Sequence, residues 1–183
     1  MSEEMLVCHC SPTLAGLKTG SLFSCPYRSK KKIIGEIRSL NQRLVKKGVC
    51  VLPVRMSAKR VLIYVYRPGK LKEDFSDKQI QILLKCKGYD CGKPAQCIYR
   101  LVQKLHSDPD FPHEIGLFLG YPAEDVKGFI ENKAACSKCS GCWKVYGDEK
   151  AAKILFKKYK KCTEIYHRKW KSGVAVERLT VTI

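Results

Sequence analysis

The sequence predicts an α+β fold, in which a small and mostly antiparallel sheet of about four strands packs with several helices. Two β-rich runs joined by a short turn lie near the middle of the chain, and segments with helical apolar spacing lie on both sides of them. The 183 residues contain no internal repeat, low-complexity tract or linker-like stretch. These features predict a single domain over residues 1–183 with one substantial core.

The first part of the chain predicts a helix, a strand and a second helix. The first helix runs from Ser2 to about Lys18, with acids in its first turn, where the helix dipole favours negative charge. GSLFSC follows as a strand. Ser29 can cap the second helix, and Gly48 lies just past its end. The apolar stripe of this helix consists of Ile33, Ile37, Leu40 and Leu44.

The centre of the chain predicts a β-hairpin. The runs VCVLPVRM and VLIYVYR are rich in β-branched and aromatic residues, and SAKR separates them. Pro53 in the first run has no backbone N–H to donate to a neighbouring strand. It therefore indicates either an edge strand or a bulge at that position.

Helices dominate the rest of the chain. Ser76 and Gln79 have the spacing of a capping box before a helix that Gly88 ends. CWKVYG predicts a fourth strand, and Asp148 is placed to cap a long final helix. Three further helices are each opened by a proline, namely Pro94, Pro112 and Pro122. The apolar stripe of the final helix consists of Leu155, Phe156, Tyr159, Cys162, Tyr166 and Trp170.

Composition predicts a cytoplasmic protein. No stretch approaches the roughly 18 apolar residues that a bilayer span needs. The start, MSEEMLVCHC, has acids where a signal peptide has positive charge, which argues against export. The 11 cysteines are then expected to be thiols rather than a disulfide framework. Since thiolates are readily oxidised, such heavy use of cysteine also suggests an anaerobic host.

The charge is strongly positive. The formal net charge is +18 and the isoelectric point is near 9.5. Such a field attracts nucleic acid, acidic proteins or anionic membrane surfaces. Lysines and aromatic residues alternate in the final helix, but the aromatic residues fall on its apolar stripe, which favours packing in a core over stacking on bases.

The segment AACSKCSGCWKVYGD predicts a candidate metal site. Cys136, Cys139 and Cys142 follow one another at the spacing with which pairs of thiolates bind zinc or open an iron–sulfur cluster run. Tyr146 stands where the cluster pattern would place a fourth cysteine. A complete site therefore needs another ligand, for which the candidates are Cys8, His9, Cys10, His113 and Cys162. The alternative interpretation is that the three sulfurs are structural thiols.

Two further segments carry candidate catalytic residues. A thiolate at Cys10 can be favoured by the neighbouring His9, although adjacent residues on a helix do not face each other. In FPHEIG, Pro112 predicts a helix start, so His113 and Glu114 would lie near exposed amide donors. There His113 could act as a ligand or proton carrier and Glu114 as a base. Ordinary helix capping explains the acid equally well.

Four segments resemble domain-of-unknown-function family 3793, which occurs mainly in anaerobic bacteria. They are HCSPTLAGLKTGSLFS, VYRPGKL, FPHEIGLFLGYPAEDVKGFIENK and CWKVYGDEKAAKILFKKYKKCTEIY. The resemblance covers nearly the whole chain and implies one cytosolic domain with a role in iron or redox physiology, without an established activity. The positions that it carries over are His9, Cys10, Pro12, Thr13, His113, Glu114, Gly120, Trp143 and Tyr146.

Two functional hypotheses follow. In the first, the protein binds a metal ion (zinc or iron) or a redox cofactor in a pocket lined by His9, Cys10, His113 and the turn from Cys136 to Cys142. In the second, it is a basic binding module for nucleic acid or for an acidic protein partner, such as an acidic redox protein. Binding that weakens steeply with added salt would favour the second hypothesis.

Overall fold

The α+β class is confirmed by a computed structural model, which describes residues 2–107 and 110–183. The helices are α1 (Glu3–Leu14), α2 (Lys30–Leu44), α3 (Pro68–Asp74), α4 (Lys78–Cys86), α5 (Pro94–Ser107), α6 (Ile115–Phe118), α7 (Ala123–Glu131), α8 (Glu149–Lys171) and α9 (Val176–Leu179). A 3-10 turn, Val45–Lys47, follows α2. The strands are β1 (Gly20–Pro26), β2 (Cys50–Met56), β3 (Arg60–Tyr66), β4 (Cys139–Ser140) and β5 (Lys144–Val145).

The chain divides into two compact units, which are described separately. Unit 1 consists of Met1–Gly69 and Tyr159–Ile183, and unit 2 consists of Lys70–Lys158. The expectation of one domain over residues 1–183 stays a prediction.

Unit 1 contains an antiparallel sheet with the strand order β1-β3-β2. The central strand β3 pairs with both neighbours, so that Ile63 lies opposite Phe23 on one side and Pro53 on the other. Pro53 is therefore on an edge strand, and the register of β2 also shifts between Pro53 and Arg55. Both interpretations of this proline are confirmed, because the edge strand tolerates the missing donor and the bulge relieves the ladder.

The core of unit 1 lies between one face of this sheet and the helices α1 and α2. Alternate residues of β3 point into it, as expected from the two-residue period of a strand. The four residues of the predicted stripe of α2 are all buried. Ser29 caps this helix by accepting a hydrogen bond from the Lys32 amide at 3.4 Å. Gly48 follows with a φ of +73°, a conformation that favours glycine.

A buried arginine connects three distant segments of unit 1. Arg67 follows β3 and is 1% exposed. Its guanidinium donates hydrogen bonds to the carbonyl oxygens of Thr13 at 2.6 Å, Leu14 at 2.6 Å, Lys47 at 3.1 Å and Val181 at 2.7 Å. The end of α1, the 3-10 turn and the carboxyl-terminal segment therefore meet on one side chain.

Two of the helix starts predicted for unit 2 are wrong. The N-cap of α4 is Asp77 rather than Ser76, since Asp77 Oδ1 accepts from the amides of Gln79 at 2.7 Å and Ile80 at 3.1 Å. Pro112 does not open α6, which begins at Ile115 and has only 4 residues. The short stretch between them forms a turn instead of the first turn of a helix.

The predicted fourth strand is shorter than CWKVYG and has a partner that the sequence did not indicate. Only Lys144 and Val145 are in a strand, and they pair with Ser140 and Cys139 in a separate two-stranded sheet. The cap of α8 is confirmed, because Asp148 Oδ1 accepts from the Ala151 amide at 3.0 Å. The short helices α3 and α9 were not predicted.

Candidate functional site

Unit 2 contains a partly enclosed cavity of about 200 Å³. One wall comes from the segment that carries α6 and α7, and the other comes from the β4–β5 hairpin. The cavity therefore lies where two of the segments quoted for the family resemblance meet. Its lining residues are His113, Ile115, Gly116, Leu119, Tyr121, Asp125, Val126, Phe129, Cys142, Trp143 and Lys144. We call this cavity the aromatic pocket.

Several aromatic rings contact one another in and around the pocket. Tyr121 stacks on Trp143 with ring centroids 4.7 Å apart, and Phe156 meets Trp143 edge-on at 4.6 Å. The His113 ring lies edge-on against Phe129 at 5.0 Å. Stacked and edge-to-face pairs of this kind hold their rings in defined orientations. The lining of the pocket thus combines apolar ring atoms with an imidazole.

Asp125 connects α7 to the hairpin. It is 3% exposed, and its Oδ2 accepts a hydrogen bond from Trp143 Nε1 at 2.7 Å. Its Oδ1 accepts from the backbone amides of Tyr146 at 2.7 Å and Gly147 at 2.8 Å. Three donors satisfy this buried carboxylate, as a buried charge requires. Asp125 consequently fixes the orientation of the indole that lines the pocket.

The close approach of the hairpin to α7 requires a glycine at position 128. A Cβ added to Gly128 would lie 2.5 Å from Tyr146 Cγ, a distance that real Cβ atoms essentially never show. Gly128 therefore lets the Tyr146 ring lie directly on the backbone of α7. This contact and the bonds of Asp125 together hold the hairpin against the helix.

A second cavity, of about 350 Å³, has His113 in its wall as well. Here the buried Glu114 accepts two hydrogen bonds at Oε1, from Lys104 Nζ at 2.8 Å and from Tyr89 Oη at 3.0 Å. Lys104 also donates to the carbonyl of Lys87 at 2.7 Å, and its ammonium lies 4.6 Å from the centre of the Tyr89 ring. His113 and Glu114 are neighbours in the sequence, but the carboxylate belongs to this ion pair.

The environment of Glu114 favours its charged form. Burial by itself raises the pKa of a carboxyl group, but the hydrogen bonds from Lys104 and Tyr89 outweigh it and leave the pKa of Glu114 below its usual value of 4.5. Burial and the adjacent carboxylate raise the pKa of Tyr89, so its hydroxyl stays protonated and donates. At neutral pH, Glu114 is therefore an ionised acceptor, as the predicted base would have to be.

Replacing Glu114 by glutamine is expected to destabilise the protein at neutral pH and to matter less in acid. The pKa of Glu114 is lowered on folding, so its contribution is complete above pH 4.5 and is lost as the pH falls through the folded value. The free energy of unfolding at pH 7 should drop by about 2 kcal/mol, because Lys104 loses its buried anion.

Urea unfolding of both proteins between pH 7 and pH 3.5 measures this difference. The matched control is Glu131→Gln, since Glu131 is in an exposed ion pair with Lys127 and should change stability little. A loss for Glu114→Gln that stays constant down to pH 3.5 would contradict the assigned ion pair.

The three predicted cysteine ligands lie in different surroundings. Cys136 is exposed in a loop and has a φ of +58°, and the preceding Lys133 and Ala134 also have positive φ values. Cys139 is half-buried in β4, and Cys142 lines the aromatic pocket. Among residues 2–107 and 110–183, no group of three or more His, Cys, Asp or Glu side chains is placed to hold a metal ion. The ligand role of the three sulfurs stays a prediction.

The amino-terminal candidates belong to unit 1. Cys10 is fully buried in its hydrophobic core, and burial raises the pKa of its thiol strongly, so that the thiol is protonated at neutral pH. His9 is exposed and stacks on Phe23 with centroids 5.1 Å apart. Of the candidates for an additional metal ligand, only His113 belongs to unit 2. Unit 1 contains the others, Cys8, His9, Cys10 and Cys162.

The structure thus brings together His113 and Cys142, at the aromatic pocket. Sequence reasoning missed Tyr121, Asp125 and Phe129 as pocket residues. An acid in the first turn of a helix, as at Asp125, usually reflects the helix dipole. Its actual donors lie 18 to 22 residues further along the chain, and no local pattern indicates them.

The protein is therefore of the α+β class, and its second unit contains a small cavity partly lined by aromatic side chains. The chain belongs to the family described as "Protein of unknown function (DUF3793)", which matches residues 6–180. The comparisons with curated proteins and with solved structures found no match. Among the described residues, no helix has both the length and the apolar character that crossing a bilayer requires.

Proposed function

We propose that the protein is a cytoplasmic binding protein of anaerobic iron or redox metabolism, and that its aromatic pocket takes a redox cofactor or a metal complex. The observation that supports this most is the position of His113 and Cys142, which line one cavity although they are far apart in sequence. An imidazole nitrogen and a thiolate sulfur are ligands that zinc and iron accept readily.

The proposed ligand is either a metal ion that already carries some of its ligands, or an organic cofactor with its own redox centre. His113 and Cys142 provide two donors, whereas a structural metal site usually has four protein ligands. Tyr121 and Trp143 line the cavity with apolar ring atoms, and pockets for small molecules combine apolar surface with a few polar contacts. A cofactor with a ring or chelate system meets both conditions better than a bare ion.

Individual roles follow from this placement. Cys142 is the proposed sulfur donor, and His113 is the proposed nitrogen donor or proton carrier. Asp125 acts as a positioning residue, since it holds the indole of Trp143. Ligand roles for Cys136 and Cys139, and catalytic roles for His9, Cys10, His113 and Glu114, stay predictions.

Purification without oxygen tests the proposal. The intact protein should carry zinc, iron or an absorbing cofactor at close to one equivalent, measured by elemental analysis and by the absorption spectrum. Cys142→Ser and His113→Ala should each lower that content at least tenfold. Cys86→Ser and His106→Ala are the controls, because both residues are exposed on other helices of unit 2 and should leave the content unchanged. Equal content in all five proteins, or none in any, would contradict the proposal.

A second candidate function is polyanion binding by unit 1. This unit carries 19 Lys and Arg against 5 Asp and Glu, a net charge of +14, while unit 2 carries 16 against 12, a net charge of +4. The positive field is therefore concentrated in one half of the protein. If this half binds a polyanion, affinity for a labelled 20-mer DNA or for poly-glutamate should fall at least tenfold between 50 and 200 mM salt. Absent or salt-insensitive binding would exclude this candidate.

A further inference from the structure

We propose that the outer face of α2 is a docking surface for an acidic protein segment that carries an aliphatic side chain. The surface, here called the α2 groove, is an open depression lined by Lys30, Lys31, Ile34, Gly35 and Arg38. The proposal deepens the second candidate function, since it names where unit 1 binds and what class of partner it takes.

The first observation is the scarcity of acids in the part of the sequence that contains α2. Between Met5 and Lys72 the chain has 15 Lys and Arg and a single acid, Glu36. Within the described residues, Lys30, Lys31 and Arg38 take part in no ion pair. All three side chains are exposed, so an acidic partner can reach their charges.

The second observation is a glycine that folding does not require. Gly35 lies in the middle of α2, where glycine costs about 1 kcal/mol relative to alanine. A Cβ at this position would meet no atom within 4 Å, so no close contact inside the protein accounts for its absence. The missing side chain leaves a notch between Lys31 and Arg38, at which another backbone can approach α2 closely.

The residues that line the groove favour a protein partner over a nucleic acid. Ile34 stands beside the notch, and the aliphatic stems of the lysines and of Arg38 complete a largely apolar floor with charged groups at its rim. Bases bind single-strand grooves by stacking on aromatic rings, and the groove is lined by none. In an acidic segment, a leucine or similar side chain would pack against the apolar floor, and the carboxylates would pair with the lysines and Arg38 at the rim.

The test uses the full chain and a labelled amphipathic helical peptide of about 18 residues, with leucines along one side and glutamates flanking them. Fluorescence anisotropy should show saturable binding. Lys31→Glu/Arg38→Glu is expected to weaken it at least tenfold, and Gly35→Gln, which fills the notch without changing charge, about fivefold. Lys46→Glu/Lys59→Glu removes equal charge from exposed positions elsewhere in unit 1 and should weaken binding less than twofold. Circular dichroism confirms that each variant folds.

The outcomes separate this surface from general charge attraction. Equal weakening by the two double variants, or no effect of Gly35→Gln, would refute the α2 groove while leaving polyanion binding by unit 1 intact. Tighter binding of a DNA duplex of similar charge than of the peptide, with the same dependence on Gly35, would assign the groove to nucleic acid and overturn the proposal. No binding of peptide, poly-glutamate or DNA would remove both the groove and the second candidate function.

Discussion

Replacing Arg67 by methionine is expected to lower the free energy of unfolding by about 3–5 kcal/mol, the largest effect of any single substitution considered for unit 1. The guanidinium donates to the carbonyl oxygens of Thr13, Leu14, Lys47 and Val181. Methionine fills similar space but donates nothing. The carbonyls of Thr13 and Leu14 would keep a second donor, the Gly16 amide at 3.1 Å and the Val181 amide at 3.0 Å respectively. The carbonyls of Lys47 and Val181 would lose the guanidinium, and an unsatisfied buried acceptor costs about 1–3 kcal/mol.

The same geometry predicts that lysine is a poor replacement for Arg67. An ammonium group offers three donors at a single point, whereas the planar guanidinium spreads its donors over carbonyls from three separate segments. Arg67→Lys should therefore recover less than half of the lost stability. Urea unfolding followed by Trp170 fluorescence in a Trp143→Phe background measures both variants through unit 1. Arg55→Met, at an exposed position of β2, is the control and should stay within about 0.5 kcal/mol of the parent.

A result within experimental error of the parent for Arg67→Met would show that the carbonyls of Lys47 and Val181 also have other partners or reach water. That outcome would contradict the description of Arg67 as the residue that joins the ends of unit 1.

Replacing Asp125 by alanine should be the most damaging single change at the aromatic pocket. It removes the acceptor of three hydrogen bonds, from Trp143 Nε1 and from the amides of Tyr146 and Gly147. All three donors are held against α7 and would lose a charged partner. We expect a loss of about 3–4 kcal/mol and a loosened β4–β5 hairpin.

Trp143 reports this change directly if Trp170 is first replaced by phenylalanine. In that background, Asp125→Ala should shift the Trp143 emission to longer wavelength and lower the urea midpoint. Asp125→Asn tests the geometry further, because its amide can present one oxygen to the two backbone amides but then turns a donor toward the indole. It should recover only part of the loss. Glu131→Ala, on the exposed end of α7, is the control, and an unchanged emission spectrum for Asp125→Ala would contradict the assigned role.

Local sequence patterns predicted those elements whose determinants are local. The buried stripe of α2, its cap at Ser29 and the left-handed Gly48 follow from helical spacing and turn chemistry. Pro53 correctly indicated an edge strand with a bulge, because a residue without a backbone N–H is tolerated at few positions in a sheet. The predicted cap of α4 was wrong by one residue. Serine and aspartate both suit an N-cap, but the carboxylate of Asp77 accepts from two amides, whereas Ser76 was predicted as the cap.

Features that depend on distant contacts could not be predicted. The β4 strand has only 2 residues, too few for a periodic signal, and forms because β5 pairs with it. Arg67 was expected to lie at the end of a strand, but nothing near it in sequence indicates four carbonyl partners. At the candidate site, the residue types at His113 and Cys142 suggested ligand chemistry, while their meeting in one cavity depends on how the segment with α6 and α7 lies against the hairpin.

The most direct test of the proposed cofactor pocket is the native mass spectrum of protein purified without oxygen. We expect a bound species that adds a defined mass to the polypeptide, and that is lost from Cys142→Ser but kept by Cys86→Ser. A spectrum that shows only the bare polypeptide, or a bound species that Cys142→Ser retains in full, would contradict it.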